Sequence, residues 1–140
     1  MKSKNIDYRK YLVRVFRGEK IAESIIEFCK DNNISSGAFY GIGAASNIEL
    51  MIYQEDKKEY VSKVFNEDLE ILSIIGNVVL LDGKHFVHAH LSLSNSNMEA
   101  IGGHLKEGII SGTLELIFTD FKTELNRKYD SETGLNLLDI

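Results

Sequence analysis

LEILSIIGNVVLLDGKHFVHAHLSLS, residues 69–94, contains two strands and the turn that joins them. Leu69 to Leu81 is apolar on both alternating sets of positions, the pattern of a central strand covered on both faces. Gly76 within it predicts a bulge or a close neighbour. Asp82-Gly83 is a two-residue hairpin signal, so Lys84–Ser94 returns antiparallel to the first strand. Side chains alternate across a strand. The odd positions His85, Val87, Ala89, Leu91 and Leu93 form a largely apolar set that faces the core. The even positions, His88 and His90 among them, form a polar set that faces a pocket, a subunit interface or solvent.

Upstream, Tyr11–Phe16 is rich in β-branched and aromatic residues and predicts a strand that ends at Gly18. Glu19–Asn33 places Ile21, Ala22, Ile25, Ile26, Phe28 and Cys29 on one side of a helix. Glu19 falls in its first turn, where negative charge suits the helix dipole. Cys29 lies on the apolar side and is expected to be an inert buried thiol. Ala38–Tyr40 and Ile48–Tyr53 predict strands separated by a tight connection at Gly41–Ala45. That connection has no third glycine at the dinucleotide-binding spacing. Gln54–Glu59 is a charged turn, which makes Ile48–Tyr53 and Tyr60–Val64 a hairpin. A last strand is predicted from about Gly112 to Phe121, and the tail from Arg127 to Ile140 docks on the body or on another subunit. One helix followed mainly by strands predicts an α+β fold: a mixed, mainly antiparallel sheet with one main helix packed on it, in a single domain over residues 1–140.

The 140 residues are 44% hydrophobic and 26% charged, enough apolar content to bury a core without disulfides. The apolar runs are too short to span a membrane, and Met1–Lys10 lacks the apolar stretch of a signal peptide, so a cytoplasmic protein is expected. One cysteine rules out a disulfide framework and a cysteine zinc finger. Net charge is −5, from 16 basic and 21 acidic residues, and the basic residues occur at most in pairs such as Arg9-Lys10 and Lys57-Lys58. Phosphate contacts require clustered Lys and Arg, so DNA binding by this chain alone is not expected.

Four histidines occur. His88 and His90 share the polar face of their strand, about 6.6 Å apart along it, and can converge on one ion. His85 points the other way. His104 follows Gly102-Gly103, which open backbone conformations closed to other residues and allow close approach to a neighbouring strand. Three imidazoles with an open position form the ligand set of a catalytic zinc site, although nitrogen donors also suit nickel, copper or iron. The alternative is a pair of surface histidines. Glu107 and Glu115 are candidate outer ligands or bases, or else exposed or salt-bridged carboxylates. Arg14, mid-strand among apolar neighbours, could reach an anionic ligand or form a structural ion pair.

The ordered set Tyr11–Glu19, Gly41–Ala44, Leu69–Ser73 with Gly76-Asn77, His88-Ala-His-Leu-Ser92, Gly102-Gly-His-Leu105 with Gly108, and Arg127–Asp130 leading to Thr133-Gly-Leu135 resembles the PPC (plants and prokaryotes conserved) domain in its prokaryotic stand-alone form. The resemblance implies a homotrimer and a metal site, zinc or another divalent ion, at His88, His90 and His104. Gly102 and Gly103 would support that site, with Glu115 and Arg14 as outer or substrate contacts. Plant members carry a basic hook for the DNA minor groove, and this chain, with no proline, has none. The fold is also similar to that of acetolactate decarboxylase, an enzyme with a three-histidine zinc site. Two functions compete. One is a metal-binding, trimeric regulatory or interaction module, acting near DNA in keeping with the DNA-binding label often given to the family, or binding a small anionic ligand. The other is a metal-dependent enzyme acting on a small carbonyl or carboxylate.

Overall fold

Asp82 and Gly83 both take positive φ, 50° and 73°, the backbone a two-residue hairpin turn needs to match strand twist. They join β5 (Leu69–Leu81) to β6 (Lys84–Ser94) in the expected antiparallel register, with Leu81 opposite Lys84 and Asn77 opposite His88. The computed structural model describes residues 1–140. The remaining elements are β1 (Lys2–Asn5), β2 (Lys10–Phe16), α1 (Ile21–Asp31), β3 (Gly37–Gln54), β4 (Glu59–Phe65), β7 (Ala100–Asp120), β8 (Arg127–Asp130) and β9 (Leu135–Leu138). Seven strands form one sheet in the order β1-β2-β7-β6-β5-β3-β4, and a further β3–β7 pairing closes the circuit β3–β5–β6–β7. The strands β8 and β9 form a separate hairpin.

Every ladder is antiparallel, and the one parallel link is the isolated bridge between Leu80 and Asn126, so the sheet is not mixed. The single helix is a minor part of the chain. It packs on β6 and β7 and buries Ile21, Ile25, Phe28 and Cys29, as its periodicity requires. A cluster of 23 buried residues fills the space between helix and sheet, with Phe28 edge-on to Phe118 and Phe118 stacked on Phe39. No helix is long and apolar enough to cross a membrane.

Further expectations are corrected. The two short strands about Gly41–Ala45 are one 18-residue strand, β3. At Gly41 and Gly43 an added Cβ would lie 2.1 Å from the carbonyl oxygens of Glu115 and Thr113, so β3 and β7 meet too closely for a side chain. The last long strand begins at Ala100 rather than Gly112, because β7 runs for 21 residues. The strand β5 is covered on both faces only towards its end, where the adjacent Val78 and Val79 are both buried; before that Leu69, Ile71 and Ile74 are buried, whereas Leu72 and Ile75 are 53% and 65% exposed. Finally, Glu19 precedes the helix instead of entering its first turn; it accepts from the Phe16 N–H at 2.7 Å and pairs with the Met1 ammonium. The carboxylate at the helix N-terminus is that of Glu107 on β7, which accepts from Ala22 N–H at 2.9 Å and Glu23 N–H at 3.3 Å. Glu107 is therefore a helix cap, not a free surface carboxylate, and α1 is tied to the strand that carries His104.

Candidate metal centre

The face alternation of β6 holds. Ala89, Leu91 and Leu93 are buried, while His88 is half-buried and His90 exposed on the opposite face. His104 stands on β7 directly across from His90, in a ladder that pairs Leu91 with Gly103 and Ser92 with Gly102. A Cβ on Gly102 would lie 2.6 Å from the Leu91 carbonyl oxygen, and one on Gly103 would lie 3.1 Å from that of Met51. Neither glycine has positive φ, so the pair serves close approach rather than an unusual backbone conformation.

One nitrogen from each of His88, His90 and His104 lies within 4.8 Å of the other two. The Nε2 atoms of His88 and His90 are 3.2 Å apart. Four ligands about 2.0–2.1 Å from a tetrahedral ion stand about 3.3–3.4 Å from one another, a separation that this spacing comes close to. Burial, then the charges of Arg127 and His90, lowers the pKa of His88. Burial, then the charges of His88, His90 and Arg127, pushes His104 down to about 4. Neutral rings keep the lone pairs that coordination needs. Three imidazoles without a thiolate or carboxylate suit zinc or another nitrogen-preferring divalent ion.

Two clefts flank the cluster. One of about 450 Å³ is walled by Met51, Ile52, Tyr53, Tyr60 and Leu135, with the Tyr60 ring 5.3 Å from that of His104. The other, of about 420 Å³, is bounded by Ile75, Asn77, Phe121, Leu125 and Leu138 beside His88 and His90.

Arg14 and Glu115 are not brought to the histidines. They face each other across the β2–β7 ladder, and Arg14 lies over Phe16 at 5.0 Å. Glu115 sits far along β7 from His104, in a groove with Leu12, Ile42 and Ile75. Strand alternation fixes the side of a residue but not its place along a strand whose two ends have different neighbours. His85, set aside from the sequence, shares a hydrogen bond from Nε2 to the Ile34 carbonyl at 2.7 Å.

The sequence reading gave no role to two residues at the site. Arg127 donates from Nη2 to Nδ1 of His88 at 3.1 Å and to Oδ1 of Asn77 at 2.9 Å, and its guanidinium lies 5.3 Å over the Phe86 ring. Counting back from the Asp82-Gly83 turn places Asn77 opposite His88, so Asn77 was within reach of the sequence. Arg127 reaches the site from the C-terminal hairpin, and no local pattern indicates that return.

The profile of the Plants and Prokaryotes Conserved (PCC) domain matches residues 2–122. A solved protein from Bacteroides thetaiotaomicron, described only provisionally as DNA-binding, is 31% identical with a TM-score of 0.94, and the match covers 99% of this chain and 96% of that one. A metal-containing protein from Archaeoglobus fulgidus is 33% identical over 100% of both chains, with a TM-score of 0.89. A plant- and prokaryote-conserved (PPC) protein from Pyrococcus horikoshii is 37% identical, with a TM-score of 0.87 over 94% of this chain and 92% of that one. Among curated proteins, the bifunctional protein GlmU of a Synechococcus strain is 27% identical over 129 residues; the match covers 90% of this chain but only 20% of that protein. The breadth of the profile match, and three solved relatives above 30% identity over nearly their full lengths, settle the family: this chain belongs to the Plants and Prokaryotes Conserved domain family.

Proposed function

We propose that this chain binds one divalent transition metal ion, zinc before others, through His88, His90 and His104, and that the loaded protein is a ligand-binding or regulatory homotrimer for a small anionic oxygen ligand. The observation that carries the reading is the convergence of three imidazoles, two of them with Nε2 atoms 3.2 Å apart. The metal-containing relative from Archaeoglobus fulgidus supports it. A bound ion at such a set supplies a Lewis-acid position for a carboxylate or similar oxygen. The histidines hold the ion, while Tyr53, Tyr60 and Met51 shape the cleft that admits a ligand. In the Synechococcus relative the matching segment is a fifth of a longer protein, which favours a module over a self-sufficient enzyme.

The homotrimer is supported by Tyr40, Ile42, Leu72 and Ile75, each more than half exposed and able to bury against another copy. Net charge is −5 per chain, and association multiplies it. We therefore expect no sequence-specific DNA binding at physiological salt, despite the provisional description of the Bacteroides relative. The second reading, a metal-dependent enzyme, is favoured only by the clefts beside His88 and His90, and neither Glu115 nor Arg14 is near enough to serve it. Metal analysis of purified protein, paired with calorimetry using small carboxylates, tests the proposal. About one ion per chain, lost with carboxylate binding in a folded His88→Ala/His90→Ala variant, is the expected result. Full metal occupancy in that variant would remove the assignment.

A further inference from the structure

The two clefts beside the histidines are not equivalent. The one of about 420 Å³ is bordered by His88 and His90, whereas the one of about 450 Å³ is bordered by all three imidazoles. The second cleft is thus the one that reaches every candidate ligand of a shared ion. Its other side chains are Met51, Ile52, Tyr53, Tyr60 and Leu135, with no Asp, Glu, Lys or Arg among them. Tyr53 donates its hydroxyl to the Thr133 carbonyl at 2.6 Å, so its polar end is already satisfied, and its ring stands 5.0 Å from that of Tyr60. The Tyr60 ring in turn lies 5.3 Å from that of His104. Arg127 touches His88 but does not border the cleft, and its Nη1 and Nη2 already donate to Asn136, Asn77 and His88. One end of the cleft is therefore built for an ion, and its remaining walls are apolar and aromatic.

We propose that this cleft selects monocarboxylates with an apolar tail: the carboxylate binds the ion held by His88, His90 and His104, and the tail lies among Tyr60, Met51 and Leu135. This deepens the three-histidine metal reading above and rests on it. Each methylene that a tail removes from water raises affinity about two- to fourfold. A second carboxylate at the far end of a ligand would lose its hydration against walls that offer no cation, and burying a charge without a partner is costly. Charge thus enters at the ion and nowhere else in the cleft. A volume of about 450 Å³ lies within the range of small-ligand sites, about 300–1,000 Å³, and leaves room for a short aliphatic chain or an aromatic ring behind the head group. The ligand class is a short-chain fatty acid or an aryl carboxylate, not a di- or tricarboxylate.

The test uses the whole chain loaded with cobalt(II), whose visible bands report both histidine coordination and the entry of an oxygen ligand. Acetate, butyrate, hexanoate and succinate are titrated in turn. Affinity should rise about two- to fourfold per methylene from acetate to hexanoate. Succinate is butyrate with a second carboxylate in place of the methyl group, and it should bind at least about tenfold more weakly than butyrate. The hexanoate-to-acetate affinity ratio should fall about fivefold or more in both Tyr60→Ala and Leu135→Ala. On protein that holds cobalt, a flat or falling series, or succinate binding as tightly as butyrate, overturns the proposal. A ratio unchanged in both variants overturns it as well. Cobalt held no better by the wild-type chain than by His88→Ala would instead overturn the metal reading, and the ligand class with it.

Discussion

Burial in the helix–sheet core and the negative charge of Asp120 push the Cys29 thiol up to about 12. A raised thiol pKa leaves almost no thiolate at neutral or mildly alkaline pH. Cys29 should therefore stay unmodified by a disulfide reagent at pH 8 in native protein and react fully once the chain is unfolded in urea; rapid reaction of the native thiol would contradict the placement. Gly102 works by its lack of a side chain. An added Cβ would lie 2.6 Å from the Leu91 carbonyl oxygen, and a backbone atom cannot swing aside. Gly102→Ala should destabilise by about 1–3 kcal/mol in chemical denaturation. Its zinc affinity should fall as well, because the strained ladder is the one that sets His104 opposite His90. Normal stability and zinc binding in that variant would mean the close approach is not needed. Both roles could be read from the sequence: apolar periodicity put Cys29 inside, and the paired glycines before His104 marked a close contact.

At the scale of elements, α1 begins without a side-chain cap of its own, since Lys20 occupies the N-cap position and makes no such bond. Glu107 supplies the missing acceptor from across the fold. Glu107→Ala should cost about 1–2 kcal/mol, read from urea unfolding, with Glu107→Gln recovering part of it. The elements legible in the sequence were those whose packing uses large side chains: β2, α1, the β3–β4 hairpin, and β5 with β6. The middle of β3 and the first half of β7 were not. There Gly41, Gly43, Gly102, Gly103 and Gly108 let backbones lie where side chains would clash, so a strand has the composition of a loop. The histidine cluster was legible because Asp82-Gly83 fixes the register of β6 and alternation then fixes its faces. Arg127 was not, because long-range return of a tail leaves no periodic mark. Glu115 lies far along β7 from His104, and Arg14 lies opposite Glu115 on the short strand β2, so neither reaches the cluster.

For the whole molecule, the open question of partners turns on an uncovered apolar face. Tyr40, Ile42, Leu72 and Ile75 lie on β3 and β5, and each is more than half exposed. We propose that this exposed apolar face is where copies of the chain associate. Analytical ultracentrifugation should give about 47 kDa, three times the 15.8 kDa chain, independent of concentration, and Ile42→Glu/Ile75→Glu should sediment as a monomer. A monomeric wild-type protein would refute the trimer and leave the histidine site unaffected. That site is the core of the account, and anomalous scattering tests it most directly. In crystals grown with zinc, data on the two sides of the zinc edge should show one peak per chain, about 2.0–2.1 Å from one nitrogen each of His88, His90 and His104; no peak there, or a peak held by other residues, would contradict the account.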